Sequence, residues 1–190
     1  MTTPSTASGL IQIYTGNGKG KTTAALGLAV RARAAGKRVA IVYFDKGGDH
    51  YSERALLGSL GIDWFGCGLD RIDGTTGRFR FGVIPEDVTE AAQGMVRAHS
   101  FLRATPALDL LVLDEINTAV ALQMVAETAV DELIVTKPAT LELVLTGRTE
   151  VAHGKIVRPA YFDRADLLTE MRLERHYFYH GTPAREGIDY

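Results

Sequence analysis

A single cysteine, Cys67, stands in the chain, so no intrachain disulfide can form and a reducing compartment suits it. Neither sign of charge is in large excess. A net charge of -2 gives no global attraction to nucleic acid. The one basic cluster, Arg31, Arg33, Lys37 and Arg38, falls at the end of an expected helix, where cations suit the dipole. No apolar run approaches membrane-spanning length. The opening M-T-T-P-S-T-A-S has no apolar core of the kind a secretory signal carries. Residues 1–9 are expected to form a flexible tail. These absences point to a cytoplasmic chain with no nucleic-acid or membrane partner.

Chemistry-bearing patterns are missing too. No serine sits in G-x-S-x-G, and one cysteine cannot make a two-cysteine zinc pair. There is no Asn-Lys-x-Asp after a late strand, which argues against a GTPase switch. His50, His99, His153, His176 and His180 are scattered, and each reads as surface or structural. Hydrophobic residues make up 46% and charged residues 23%, an ordinary globular balance that fits one domain over residues 10–190.

What is present is concentrated in residues 11–23, I-Q-I-Y-T-G-N-G-K-G-K-T-T. An apolar run (Leu10, Ile11, Ile13, Tyr14) reads as a short buried strand. A glycine-rich loop follows, and residues 23–35 read as a helix rich in Ala, Leu and Arg. Strand, glycine loop and a helix opening with Lys-Thr form the context of a phosphate-binding loop. Glycines let successive N–H groups turn inward towards phosphate oxygens, and the helix dipole aims at the same spot. Gly16, Asn17, Gly18, Lys19, Gly20, Lys21, Thr22 and Thr23 are the candidate nucleotide ligands. Lys21 supplies charge for the distal phosphates, and the Thr22 hydroxyl can ligate magnesium. The usual G-x-x-x-x-G-K-[ST] pattern fails at its first glycine, where Thr15 stands.

Downstream, strands alternate with helices. Residues 38–44, 62–65, 109–114, 140–145 and 167–171 read as strands. Helices are expected from Ser52 to 60, from Pro85 to about 103, and over 119–137 in one piece or two. Residues 66–84 are glycine-rich; Arg78-Phe79-Arg80-Phe81 is either part of a long loop or an edge hairpin strand. The fold class is α/β: a phosphate-loop NTPase-like, mainly parallel sheet with helices on both faces. In such sheets ligands bind beyond the carboxyl ends of the strands. Three strand ends carry candidate groups there: Lys46, Asp114-Glu115 and Arg148. Asp114 or Glu115 would face a magnesium held at Thr22, and Arg148 can offer phosphate a planar fork of donors.

T-G-N-G-K-G-K-T-T-A-A, F-x-K-G, V-L-D-E-I-N, L-T-G-R, A-D-L-L-T-E-M-R and the terminal G-I-D-Y together resemble ATP:corrinoid adenosyltransferases of the cob(I)yrinic acid a,c-diamide type. The resemblance covers nearly the whole chain. Gly16 to Thr22 match the family's ATP loop. Phe44, Lys46, Gly47 and Glu53 match its F-x-K-G…E segment, Asp114, Glu115 and Asn117 its acidic strand end, and Thr146 to Arg148 its T-G-R. It implies ATP as co-substrate, a cobalt corrinoid as substrate, Mg2+, a homodimer and a flavoprotein reductant. Cobalt of a reduced corrinoid would attack the 5′ carbon of ATP and triphosphate would leave. Lys21 and Arg148 are then the catalytic candidates, stabilising the leaving group. Two stretches depart from the family pattern, residues 66–84 and 151–162, both where a corrinoid is expected. Trp64, Phe65, Phe79 and Phe81 are candidates for the family's missing aromatics. The sequence leaves two other classes standing, an ATP hydrolase or kinase and a non-catalytic ATP- or corrinoid-binding protein.

Overall fold

The computed structural model describes residues 8–49, 51–71, 80–152 and 155–189. Its strands are β1 (Ile11–Thr15), β2 (Val39–Tyr43), β3 (Asp63–Gly66), β4 (Leu110–Asp114), β5 (Glu142–Thr146), β6 (Glu150–Ala152), β7 (Lys155–Val157) and β8 (Leu167–Glu170). Its α-helices are α1 (Lys21–Ala34), α2 (Arg54–Leu57), α3 (Pro85–Leu102), α4 (Ile116–Ala121) and α5 (Glu127–Thr136). Six strands form one parallel sheet in the order β3-β2-β4-β5-β1-β8.

Strands β2 and β4 are buried at every position because the sheet is covered on both faces. Alternation sorts their side chains. Ala40, Val42, Leu111, Leu113, Leu143 and Leu145 face one core with Ala91 and Ala98 of α3 and Leu133 of α5. Ile41, Tyr43, Leu110, Val112 and Val144 face the other, against Ala25 and Ala29 of α1. Those alanines, four apart, let α1 lie close to the sheet. Gly36, in the left-handed conformation after α1, brings Lys37 N within 3.1 Å of Ala32 O and closes the helix end.

The differences from expectation are local. Helix α1 begins two residues early, at Lys21, directly after the glycine loop. The helix expected from Ser52 is a single turn, Arg54–Leu57, before glycines at 58 and 61. The 119–137 region is two helices, separated where Gln123 turns to φ 58°. Of the 78–81 alternation, Arg78 and Phe79 lie outside the described residues, and Arg80 and Phe81 belong to no strand. The stretch at 151–162, which departs from the family pattern, ends in the core. An antiparallel β6–β7 pair leads into a 3-10 turn, Ala160–Arg164, that buries Tyr161 and Phe162. Tyr161 OH donates to the buried Asn117 Oδ1 at 2.9 Å, so the end of this stretch belongs to the core.

Among the described residues no helix is long and apolar enough to cross a membrane. Thr15, Tyr43, Asp114 and Thr146 end adjacent parts of one sheet edge, and the candidate site lies there.

Candidate nucleotide site

The loop between β1 and α1 explains why the pattern tolerates Thr15. Thr15 is still strand, and the chain first needs a positive φ at Gly16 (99°). A Cβ on Gly16 would stand 2.3 Å from Met171 O, so this glycine is required twice over. Lys21 is buried at the start of α1, and its ammonium donates to Gly16 O at 2.9 Å and Gly18 O at 2.7 Å. It thus lies across its own loop. Burial pulls its pKa below the ordinary lysine value, and Arg148 and Lys46 add to that fall against the pull of Glu115 and Asp114. Thr23 is exposed on α1.

Asp114, 1% exposed, is the hub opposite the loop. One carboxylate oxygen accepts from Thr22 Oγ1 at 3.2 Å and from Lys46 Nζ at 2.5 Å; the other accepts from Thr146 Oγ1 at 2.7 Å. Strand β5 lies between β1 and β4, so Thr146 bridges what the topology separates. The same hydroxyl accepts from Glu115 N at 2.9 Å. Glu115 itself turns into the left-handed region (φ 61°), and its carboxylate accepts from Thr118 Oγ1. Of the two acids, Asp114 is therefore the one that touches Thr22.

Lys46 also lies 3.0 Å from Thr22 Oγ1. Burial works against its charge, but the carboxylates of Asp114 and Glu115 outweigh it and hold its pKa above the ordinary lysine value. Its loop is fixed from two sides. Arg54 donates to Lys46 O at 2.5 Å and Gly48 O at 2.8 Å while lying over Tyr43, Tyr51 and Trp64. Arg71 Nε donates at 2.8 Å to Asp45, and Lys46 N donates to Cys67 O at 3.1 Å. Arg80 N donates to Arg71 O at 2.7 Å, and Arg80 grips Asp87 at the start of α3 at 2.7 and 2.8 Å. The two arginines close the base of the divergent 66–84 stretch against the Lys46 loop.

Arg148 is exposed at the end of β5, with its backbone N donating to Thr118 Oγ1 at 2.9 Å. Before it, Gly147 takes φ 129° and passes so close to α4 that a Cβ would stand 2.6 Å from Thr118 N. Gly147→Ala should cost about 2 kcal/mol or more from backbone strain and that clash. Urea denaturation checks it, and an unchanged midpoint would refute the fit.

The aromatic candidates separate. Trp64 packs edge-on to Tyr43 on the α1 side, with ring centroids 6.5 Å apart. Phe65 packs against the opposite core, Phe81 is 87% exposed, and Phe79 lies outside the described residues. His50 and His153 also lie outside them. His176 precedes a 3-10 turn whose last residue is His180, and His176 Nδ1 accepts from Phe178 N at 3.1 Å. Among the described residues no group of three His, Cys, Asp or Glu could hold a metal.

The family model for ATP:corrinoid adenosyltransferase BtuR/CobO/CobP matches residues 7–190. The chain belongs to this family. It is 35% identical to the corrinoid adenosyltransferase CobA of Salmonella typhimurium over 182 residues, 96% of this chain and 86% of that protein. Identity to the Escherichia coli K12 corrinoid adenosyltransferase is 34% with the same coverage. An uncharacterized Nostoc protein is 32% identical over 95% of this chain, which spans only 48% of that longer protein. Four motifs converge in this fold: T-G-N-G-K-G-K-T, F-x-K-G, V-L-D-E-I-N and L-T-G-R meet around Lys21, Lys46, Asp114 and Thr146. Sequence reasoning missed Thr146 as the bridge and Arg54 as the support of Lys46. An arginine beside Glu53 and a threonine already inside T-G-R were the available signals.

Proposed function

We propose that the chain transfers the 5′-deoxyadenosyl group of ATP to the cobalt of a reduced Co(I) corrinoid, releasing inorganic triphosphate. One observation carries the reading. In a chain of this family, Lys21 lies across a glycine loop and is followed directly by Thr22 of the Thr22–Asp114–Lys46 cluster. The cobalt electron pair forms a bond to C5′, the C5′–O bond breaks, and triphosphate departs with that bonding pair. Co(I) holds no proton to remove, so the step needs no general base. What it needs is stabilisation of a strongly anionic leaving group, which the loop amides, Lys21 and Arg148 supply.

Magnesium fits this cluster. Thr22 Oγ1 and Asp114 Oδ2 are hard oxygen donors 3.2 Å apart, and a cation, the Lys46 ammonium, already sits against both. Magnesium asks for one or two carboxylates, with phosphate oxygens and waters completing the shell. It would be held by Thr22 and Asp114, with Glu115 beside them, and would supply charge to the triphosphate. The reading further assigns a homodimer in the cytoplasm, a flavoprotein as reductant of the corrinoid, and the exposed Phe81 to the corrinoid side.

The deciding assay incubates the full chain with ATP, magnesium and chemically reduced cob(I)alamin without oxygen. Triphosphate together with a light-sensitive adenosylated corrinoid is expected. Release of ADP and phosphate would overturn the transferase in favour of a hydrolase or kinase.

A further inference from the structure

The phosphate loop is braced from outside by the last stretch of the chain. Gly18 N donates to Met171 O at 2.7 Å, and Leu173 N donates to Asn17 Oδ1 at 3.0 Å, so the segment leaving β8 runs along the loop. Lys19 reaches further. Its ammonium donates to Tyr177 OH at 2.9 Å and Ile188 O at 2.8 Å, and it pairs with the Asp189 carboxylate. Three acceptors match the three N–H bonds of an ammonium. The Asp189 side chain is 11% exposed and is held in turn by Tyr177 OH, by Arg185 N at 3.0 Å and by Arg185 Nε at 3.2 Å. Arg185 lies over the Tyr177 ring, 4.7 Å from its centroid.

We infer that Asp189 is a positioning residue for the phosphate site, acting through Lys19, and that Lys19 tethers the loop to the C-terminal segment instead of binding triphosphate. The inference rests on reading the loop as a triphosphate cradle. A lysine whose three N–H bonds are taken on the far side has none left for phosphate, which leaves that work to Lys21. The tether has a physical use. A loop with glycines at 16, 18 and 20 loses much conformational freedom when it closes on a ligand. Anchoring it at Lys19 fixes the amides before ATP arrives. The second cation, Arg185, offsets a carboxylate that would otherwise stand near an anionic ligand.

The test compares full-length wild type, Asp189→Asn, Asp189→Glu, Lys19→Met and the Lys19→Met/Asp189→Asn double variant. Two quantities are read: hydrogen exchange of the loop amides without nucleotide, and MgATP affinity. Asp189→Asn should speed exchange at residues 16–20 and weaken MgATP binding about fivefold, the upper range for a partly exposed ion pair. Asp189→Glu, which keeps the charge, should recover most of both. In the Lys19→Met background Asp189→Asn should add nothing. KM for ATP should rise more than kcat falls. Wild-type exchange in Asp189→Asn, equal losses with and without Lys19, or faster exchange spread evenly over the chain would each overturn the tether. A wild type that fails to bind MgATP would instead sink the triphosphate reading, while the exchange arm still decides the tether.

Discussion

Lys21→Ala should lower kcat/KM for ATP about a thousandfold, the loss seen when one preorganised charge or donor at a developing anion is removed. The side chain is buried, and among the described residues its ammonium donates to Gly16 O and Gly18 O in the free loop. Neither carries a full charge. Triphosphate would replace two carbonyls by anionic oxygens and would be met by an ammonium already stripped of most of its water. Burial lowers the Lys21 pKa in the free protein, whereas bound triphosphate would raise it again. The sign follows: MgATP binding takes up a proton once the solution passes the free-protein value. Affinity should therefore fall at alkaline pH in the wild type and be flatter in Lys21→Ala. Calorimetry in buffers of different ionisation enthalpy measures that uptake. Turnover unchanged by Lys21→Ala would refute the leaving-group role.

The parts of this fold that were legible in the sequence were those fixed by short-range chemistry. The strand, glycine loop and helix are set by contiguous residues, so residues 11–34 read almost as they fold. Asp114 was legible because β4 is apolar for four residues and its last residue is an acid. The choice between Asp114 and Glu115 was not, because it depends on a left-handed turn at Glu115 and on Thr146 from the neighbouring strand. Periodicity does not reveal which strand lies between two others. The packing of the 151–162 stretch was not legible for a related reason. Its two anchors, Tyr161 and Phe162, are adjacent in a 3-10 turn and match neither helical nor strand spacing. The brace of Lys19 by Asp189 joins residues at opposite ends of the chain, and only the folded molecule brings them together.

Asp114→Asn should damage both stability and activity, and the two losses should separate. The carboxylate is 1% exposed and its partner Lys46 is 13% exposed, so the variant leaves a largely buried ammonium without its hydrogen-bonded anion. Breaking one side of such a pair costs about 3 kcal/mol or more. The pH dependence identifies the source. The folded pKa of Lys46 lies above its ordinary value, so the stabilisation is fully present below the unfolded lysine pKa of about 10.4. It is lost as pH rises through the folded value, and the gap between wild type and Asp114→Asn should narrow only at strongly alkaline pH. Lys46→Met in the same chain removes the stranded charge. The double variant should regain much of the urea midpoint while remaining inactive, because Thr22 has lost its carboxylate partner. Recovery of turnover along with stability would show that Asp114 serves the fold alone. A wild-type midpoint in Asp114→Asn would show instead that Thr22, Lys46 and Thr146 do not depend on it.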